Sequence, residues 1–164
     1  ALWCAAQTSG PVLWIAPDWG TNGLHGAGIR PFVNPGRLIF VHPRRAEDTL
    51  WTMEEALRSG AAPLVVGDVP APPGLTAVRR MHLAAQAGAQ AGMGAPLGLL
   101  LTPGDGGAPG VESRWHMAPR HSATQTLWHL ERRRARTAAP QSWQITASGG
   151  GTQGAAPGLG IKVL

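Results

Sequence analysis

Four short runs of almost unbroken apolar residues constrain the fold of this chain more than any other feature of its sequence. They are PVLWIA (residues 11–16), RLIFVH (37–42), PLVVGDV (63–69) and PLGLLLT (96–102). Apolar runs of this length, without polar alternation, are typical of strands that are buried on both faces of a parallel sheet. None approaches the roughly 18–20 residues that a membrane-spanning helix needs, so we predict no membrane segment.

Two helical segments separate the second, third and fourth runs, over residues 44–59 and 75–87, and Gly60 ends the first of them. Apolar residues of the first helix recur at helical spacing and form a stripe that we expect to face the sheet: Ala46, Leu50, Met53 and Leu57. We expect Trp51 to be half-buried and Glu54 to face water or a partner. Strands that alternate with helices predict an α/β fold with a mostly parallel sheet flanked by helices.

The pattern changes to alternation of apolar and polar residues after the breaker cluster at residues 103–110. Alternation predicts strands with one wet face at residues 112–117, 126–136 and 142–147. We expect these late strands to be antiparallel and to extend one edge of the parallel sheet. The chain is therefore predicted to form one domain over residues 1–147, followed by a glycine-rich flexible tail over residues 148–164.

Charge and cysteine content narrow the setting and the kind of partner. The net charge is +5, and 13 of the 14 basic residues are arginines. A basic C-terminal half suits nucleic acid or an acidic partner, and a merely solvated surface is the alternative. The lone Cys4 excludes a disulfide scaffold and a cysteine-based zinc site, and it indicates a reducing, cytoplasmic setting. The six histidines show no zinc-binding spacing, so we predict no metal site.

The order of these elements, together with four strings, resembles the core ATPase domain of RecA-type recombinases. The strings are ALWCAAQTSG (1–10), VLWIAPDWG (12–20), HPRRAEDTLWTMEEALRSG (42–60) and LERRRARTAAPQSWQI (130–145). Within that superfamily, the chain is more closely similar to the ImuA family of damage-inducible mutagenesis proteins, from Ala1 to about Thr146. The resemblance implies a RecA-like core of the P-loop NTPase type. It also implies two partners, a Y-family-like polymerase homologue and an error-prone replicative-type polymerase.

The residues that would hydrolyse ATP on such a fold are degraded. Hydrolysis needs a phosphate loop, a carboxylate for magnesium, a carboxylate to activate water and a sensor for the γ-phosphate. No GxxxxGK[ST] motif occurs, and the resemblance places that loop upstream of Ala1. Gly67 occupies the magnesium position, and Asp68 follows one residue late, on the other face of its strand. Asp18 replaces the usual glutamate, and Pro103 replaces the sensor glutamine.

We therefore expect Asp18 and Asp68 to be remnants without a catalytic role, and we predict neither enzymatic activity nor a cofactor. A turn residue for Asp18, and a strand-end or helix-capping acid for Asp68, are the structural alternatives.

Arginines in the late strands are the remaining candidates for contacts with other molecules. The resemblance aligns Arg134 and Arg136 with a basic pair that, in RecA filaments, reaches the ATP of the neighbouring subunit. They lie two apart, so on a strand both point the same way, which makes RecA a further candidate partner. Four more arginines could contact DNA phosphates weakly and without sequence preference: Arg114, Arg120, Arg132 and Arg133.

The main prediction is a catalytically silent RecA-like adaptor of an SOS-inducible translesion synthesis assembly, which acts through protein contacts. One alternative is an active RecA-like DNA-dependent ATPase whose phosphate loop lies upstream of this chain. The other is a nucleic-acid-binding module that uses the basic late strands.

Overall fold

The structure, a computed structural model, describes residues 1–17, 23–92, 94–147 and 159–164. Its first half contains four strands, each inside the apolar run that predicts it: β1 (Val12–Ile15), β2 (Leu38–Val41), β3 (Leu64–Asp68) and β4 (Leu97–Leu101). They pair in parallel in the order β2-β1-β3-β4. This confirms the predicted α/β class with a parallel sheet flanked by helices.

Helices cover both faces of the parallel sheet. They are α1 (Leu2–Ala6), α2 (Gly26–Ile29), α3 (Ala46–Ser59) and α4 (Leu75–Ala91), with a 3-10 turn at Pro35–Arg37. One core joins α3 and α4 to Ile15 and Val65, and the other joins α1 and α2 to Leu64 and Val66. None of these helices, in the described part of the chain, is long and apolar enough to cross a membrane.

The buried face of α3 is partly the predicted one. Met53 and Leu57 are buried as predicted, whereas Leu50 is only partly buried and the side chain of Ala46 lies outside the described part. The prediction for Glu54 is wrong, because its side chain is buried, and Trp51 is 60% exposed rather than half-buried. The face is rotated towards Thr49, which is fully buried.

Rotation of α3 turns Glu54 towards α4, where arginines compensate its charge. Arg80 Nε lies 2.8 Å from Glu54 Oε2, and Arg58 donates to Glu54 Oε1 from one turn further along α3. A buried carboxylate needs such partners because its desolvation is otherwise costly. The sequence pattern of α3 alone does not contain Arg80, and this is why the burial was not predicted.

Glycine backbones bring α3 and α4 into direct contact. Gly60 ends α3, as the sequence predicts, and its backbone is in the left-handed conformation, with φ of 62°. A Cβ added at Gly88 would lie 2.0 Å from the carbonyl oxygen of Leu57, and one added at Gly92 would lie 2.3 Å from that of Gly60. These positions therefore have no room for a side chain.

The second half of the chain forms a separate antiparallel sheet. Its strands are β5 (Ser113–Pro119), β6 (Leu127–Ala135), β7 (Gln141–Ala147) and β8 (Leu159–Val163), each paired with the next along the chain. The late strands are antiparallel as predicted, but the prediction that they extend an edge of the parallel sheet is wrong. Glycines with positive φ between β4 and β5, including Gly104 and Gly110, turn the chain between the two sheets.

β8 lies inside the segment predicted as a flexible tail. It pairs with β7 from Trp143 opposite Val163 to Ala147 opposite Leu159, so the tail prediction is wrong for these residues. Ile161 and Val163 alternate with Gly160 and Lys162, which is a strand pattern. The strand was not predicted because the surrounding segment is rich in glycine. Residues 148–158 lie outside the described part.

The first helix contacts both sheets. Ala5 is buried in the core of the parallel sheet, while the Trp3 ring meets the Trp128 ring of β6 edge-on, with centroids 5.0 Å apart. The Phe32 ring also meets the Trp3 ring edge-on, with centroids 6.1 Å apart. Ile145, the cross-strand partner of Trp128, is buried beside this aromatic contact, whereas Ile161, the partner of Ile145 on β8, is exposed.

Candidate functional site

The carboxyl ends of the parallel strands are where a RecA-like protein would bind its nucleotide. Gly67 is buried there and faces α3, and a Cβ built on it would lie 2.8 Å from Met53 Sδ. A carboxylate at this position would therefore require the Met53 side chain to move. Asp68 is exposed and, one residue further along β3, projects from the opposite face.

The two other positions that the resemblance assigns to the nucleotide site are Pro103 and Asp18, and neither supplies the missing carboxylate among the described residues. Pro103 starts a turn in which the Gly106 N–H donates to its carbonyl oxygen at 3.3 Å, and its ring carries no hydrogen-bonding group. Asp18 belongs to residues 18–22, outside the described part. Among the described residues, no group of three histidines, cysteines or carboxylates is arranged to hold a metal ion.

The predicted arginine pair lies at the end of β6. Arg134 is exposed and pairs in register with Arg114 of β5, so two positive charges face each other across the strands. Arg136 lies just past the last residue of the strand, where its Nη2 is 3.0 Å from Glu112 Oε1. The expectation that both arginines point the same way assumed a strand that continues through Arg136, and β6 ends at Ala135.

Arg133 is engaged within the sheet rather than free for phosphate. Its Nη1 lies 2.6 Å from Asp105 Oδ1 and its Nε 3.1 Å from Glu131 Oε2. These hydrogen bonds hold the pKa values of both carboxyls below their ordinary values. Arg133 is the only residue of this network that the sequence analysis proposes as a site residue.

Strand register brings two histidines to the same carboxylate. His116 is directly opposite Glu131, and His129 lies two residues before Glu131 on the same strand. Their Nδ1 atoms are 3.6 and 3.5 Å from the carboxylate oxygens. These histidines are 13 positions apart in the sequence, so only the hairpin register could have revealed the cluster.

A row of apolar residues crosses all four strands on the opposite side of the sheet. The row starts with Met117 of β5, which lies opposite Leu130 of β6. Leu130 in turn lies opposite Trp143 of β7, and Trp143 lies opposite Val163 of β8. Directly opposite residues in antiparallel strands lie on the same face of the sheet. Trp115 and Arg132 form the next row. We call these six residues the aromatic face: Trp115, Met117, Leu130, Arg132, Trp143 and Val163.

Arg132 lies against the two tryptophan rings of the aromatic face. Its Nε and Nη2 donate to the Ala139 carbonyl at 3.0 and 2.8 Å, which fixes the guanidinium plane. The guanidinium carbon lies 5.7 Å from the Trp115 ring centroid and 5.2 Å from that of Trp143, within the range of a cation–π contact. The two rings are 5.6 Å apart, tilted by 30°.

Half of the aromatic face is open to solvent. Trp115 is 47%, Met117 42% and Val163 60% exposed. Trp115 and Trp143 fall within the strands predicted at residues 112–117 and 142–147, but the sequence did not mark them as part of a binding surface. Trp115 and Met117 occupy alternate positions of a strand that was predicted to have one wet face. This spacing places both side chains on the same face, and it was the signal for an exposed apolar surface.

Arg120, the last of the arginines predicted to contact DNA, is exposed just after β5, and its backbone N–H donates to the Leu127 carbonyl. Arg132 and Arg133 are thus engaged in contacts within the chain, Arg114 is partly buried, and Arg120 and Arg134 are exposed. No protein-family model matches this chain, and no curated protein matches it either.

Proposed function

We propose that this chain is a catalytically silent RecA-like adaptor in an SOS-inducible translesion DNA synthesis assembly, acting through contacts with other proteins. The observation that carries the proposal is the packing at Gly67. Gly67 has no side chain that could bind magnesium, and Met53 Sδ would lie 2.8 Å from a Cβ at that position, so Met53 would have to move before a carboxylate could be placed there.

Two further observations support a silent site. Asp68 cannot take over the role of the missing carboxylate, because neighbouring residues of a strand project to opposite faces. Pro103 offers no side-chain donor or acceptor to a γ-phosphate. The resemblance supplies the remainder of the proposal, with a Y-family-like polymerase homologue and an error-prone replicative-type polymerase as partners, and RecA as a further one.

Calorimetry on the full-length protein with ATP and Mg²⁺ tests the silent site. We expect no magnesium-dependent binding in the micromolar range, with RecA as the positive control. Magnesium-dependent binding in that range would overturn the proposal and favour the alternative of an active ATPase whose phosphate loop lies elsewhere in the protein.

Charge reversal tests the contact with RecA. The double variant Arg134→Glu/Arg136→Glu should lose capture by RecA in the presence of a slowly hydrolysed ATP analogue. The matched control reverses two other exposed arginines, Arg30 and Arg79, and should be captured like the parent. Equal capture of the two double variants, or no capture of the parent, would remove RecA from the proposed partners.

A further inference from the structure

We propose that the aromatic face is a docking surface for an acidic, amphipathic helix of a partner protein. This inference deepens the adaptor function proposed above and rests on it only in requiring a protein partner. It starts from the exposure of the face, since soluble proteins rarely leave a contiguous apolar surface open without a function.

The residue types of the aromatic face are those of an interface centre. Tryptophan, methionine and arginine are enriched at the cores of protein–protein interfaces, and tryptophan and arginine carry a large share of binding energy there. Here, Trp115 and Trp143 flank Arg132, whose side chain is already ordered by the Ala139 carbonyl. Ordered side chains lose little conformational entropy when a partner binds, which favours affinity.

The shape of the surface selects a helix. The aromatic face lies on the flat of the sheet, where the strand backbones already pair with each other. An extended peptide would find no ladder to join there, whereas a helix satisfies its own backbone groups. Four strands at about 4.8 Å spacing present roughly 15 Å between the outer strands, the length of about three helical turns.

Charge selects an acidic partner. Within the described part of the chain, no carboxylate lies within ion-pair distance of Arg132. The guanidinium of Arg132 lies against both tryptophan rings of the face, and the chain as a whole carries a net charge of +5. A second copy of this chain would bring a second Arg132 and the same net positive charge to the interface, and like charges across an interface oppose binding.

A set of probes tests this choice on the whole protein. The main probe is a fluorescein-labelled, stapled 14-residue helix with leucines at i, i+3, i+4 and i+7 and glutamates at its other positions. A second helix keeps the leucines and replaces glutamate with lysine, and a third keeps the glutamates and loses the leucine stripe. A 20-nucleotide oligothymidylate serves as the nucleic-acid probe, and binding is measured by fluorescence anisotropy.

We expect micromolar binding of the acidic amphipathic helix, and binding at least tenfold weaker for the other two helices. Val163→Glu should weaken the acidic helix at least tenfold, and Val163→Lys, which removes the same apolar surface, should weaken it far less. Trp143→Ala should also abolish binding, while Trp51→Ala, which removes an exposed tryptophan on α3, should have no effect. Circular dichroism of each variant separates lost binding from lost folding, and Val163 is exposed enough to be replaced without unfolding the sheet.

Other results overturn the inference. Equal binding of the acidic and basic helices would show that charge does not select the partner, and no helix binding at all would show that this surface is not a helix site. Oligothymidylate binding that Trp143→Ala removes would make the face a nucleic-acid platform. Self-association in sedimentation that Val163→Glu removes would make it a contact between copies. The adaptor proposal fails separately, through magnesium-dependent ATP binding, so the two failures are distinguishable.

Discussion

Replacing Gly88 by alanine is a stringent test of the packing between α3 and α4. The added Cβ would lie 2.0 Å from the Leu57 carbonyl oxygen and 3.1 Å from the Gly60 nitrogen. Non-bonded carbon and oxygen atoms approach to about 3.3 Å, so the two helices would have to separate by more than about 1 Å. Overpacking of a core costs about 1–3 kcal/mol and occasionally more, and here the obstacle is backbone, which cannot rotate away.

Helix propensity acts in the opposite direction, which makes the sign of the result decisive. In an open helix, alanine is about 0.8–1.0 kcal/mol more favourable than glycine. Because the clash lies at the severe end of overpacking, we expect a net loss of about 2 kcal/mol or more in the free energy of unfolding. Urea denaturation followed by far-UV circular dichroism measures this loss as a lower midpoint with an unchanged slope.

A matched control is available in α2. A Cβ at Gly28 would meet nothing within 4 Å, so Gly28→Ala should change stability by less than about 0.5 kcal/mol or raise it slightly. The reasoning would be refuted by a Gly88→Ala variant as stable as the parent, since only a wider separation of α3 and α4 could accommodate it.

Three further predictions concern the core and the ion-pair network. Leu50→Ala should reduce the free energy of unfolding by about 1–2 kcal/mol in urea titration, below the 2–5 kcal/mol typical of fully buried leucines, because Leu50 is only partly buried. Glu54→Ala should cost about 1–2 kcal/mol in the same assay, less than for a fully buried pair, because both arginine partners are about half-exposed and can be hydrated. The lowered pKa values of Asp105 and Glu131 mean that their stabilisation is present above the ordinary carboxyl pKa, about 4, and is lost as pH falls below it. Arg133→Ala should abolish that part of the acid dependence of the midpoint, and an unchanged acid profile would show that the network does not contribute.

Strand positions in the parallel sheet could be predicted because each depends on a local property, an uninterrupted apolar run. Features that depend on distant residues could not. The burial of Glu54 requires Arg80, which comes from another helix, and the cluster around Glu131 requires the register of β5 on β6. The separate antiparallel sheet depends on the turns between β4 and β5. The candidate nucleotide site was partly predictable, since Gly67 and Pro103 can be identified by resemblance, but the sulfur atom that lies close to Gly67 could not be.

The two sheets differ in how far apart along the chain their partner strands lie. β5 to β8 pair only with neighbours in sequence, whereas β1 pairs with β3 across the whole of β2 and α3. Loop-closure entropy grows with the length of the loop, and folds built on distant contacts form slowly. We therefore expect the antiparallel meander to form first during refolding. Until β1 pairs with β3, the valine- and leucine-rich strands of the parallel sheet remain exposed. The rate of this pairing therefore determines how long the folding chain can aggregate.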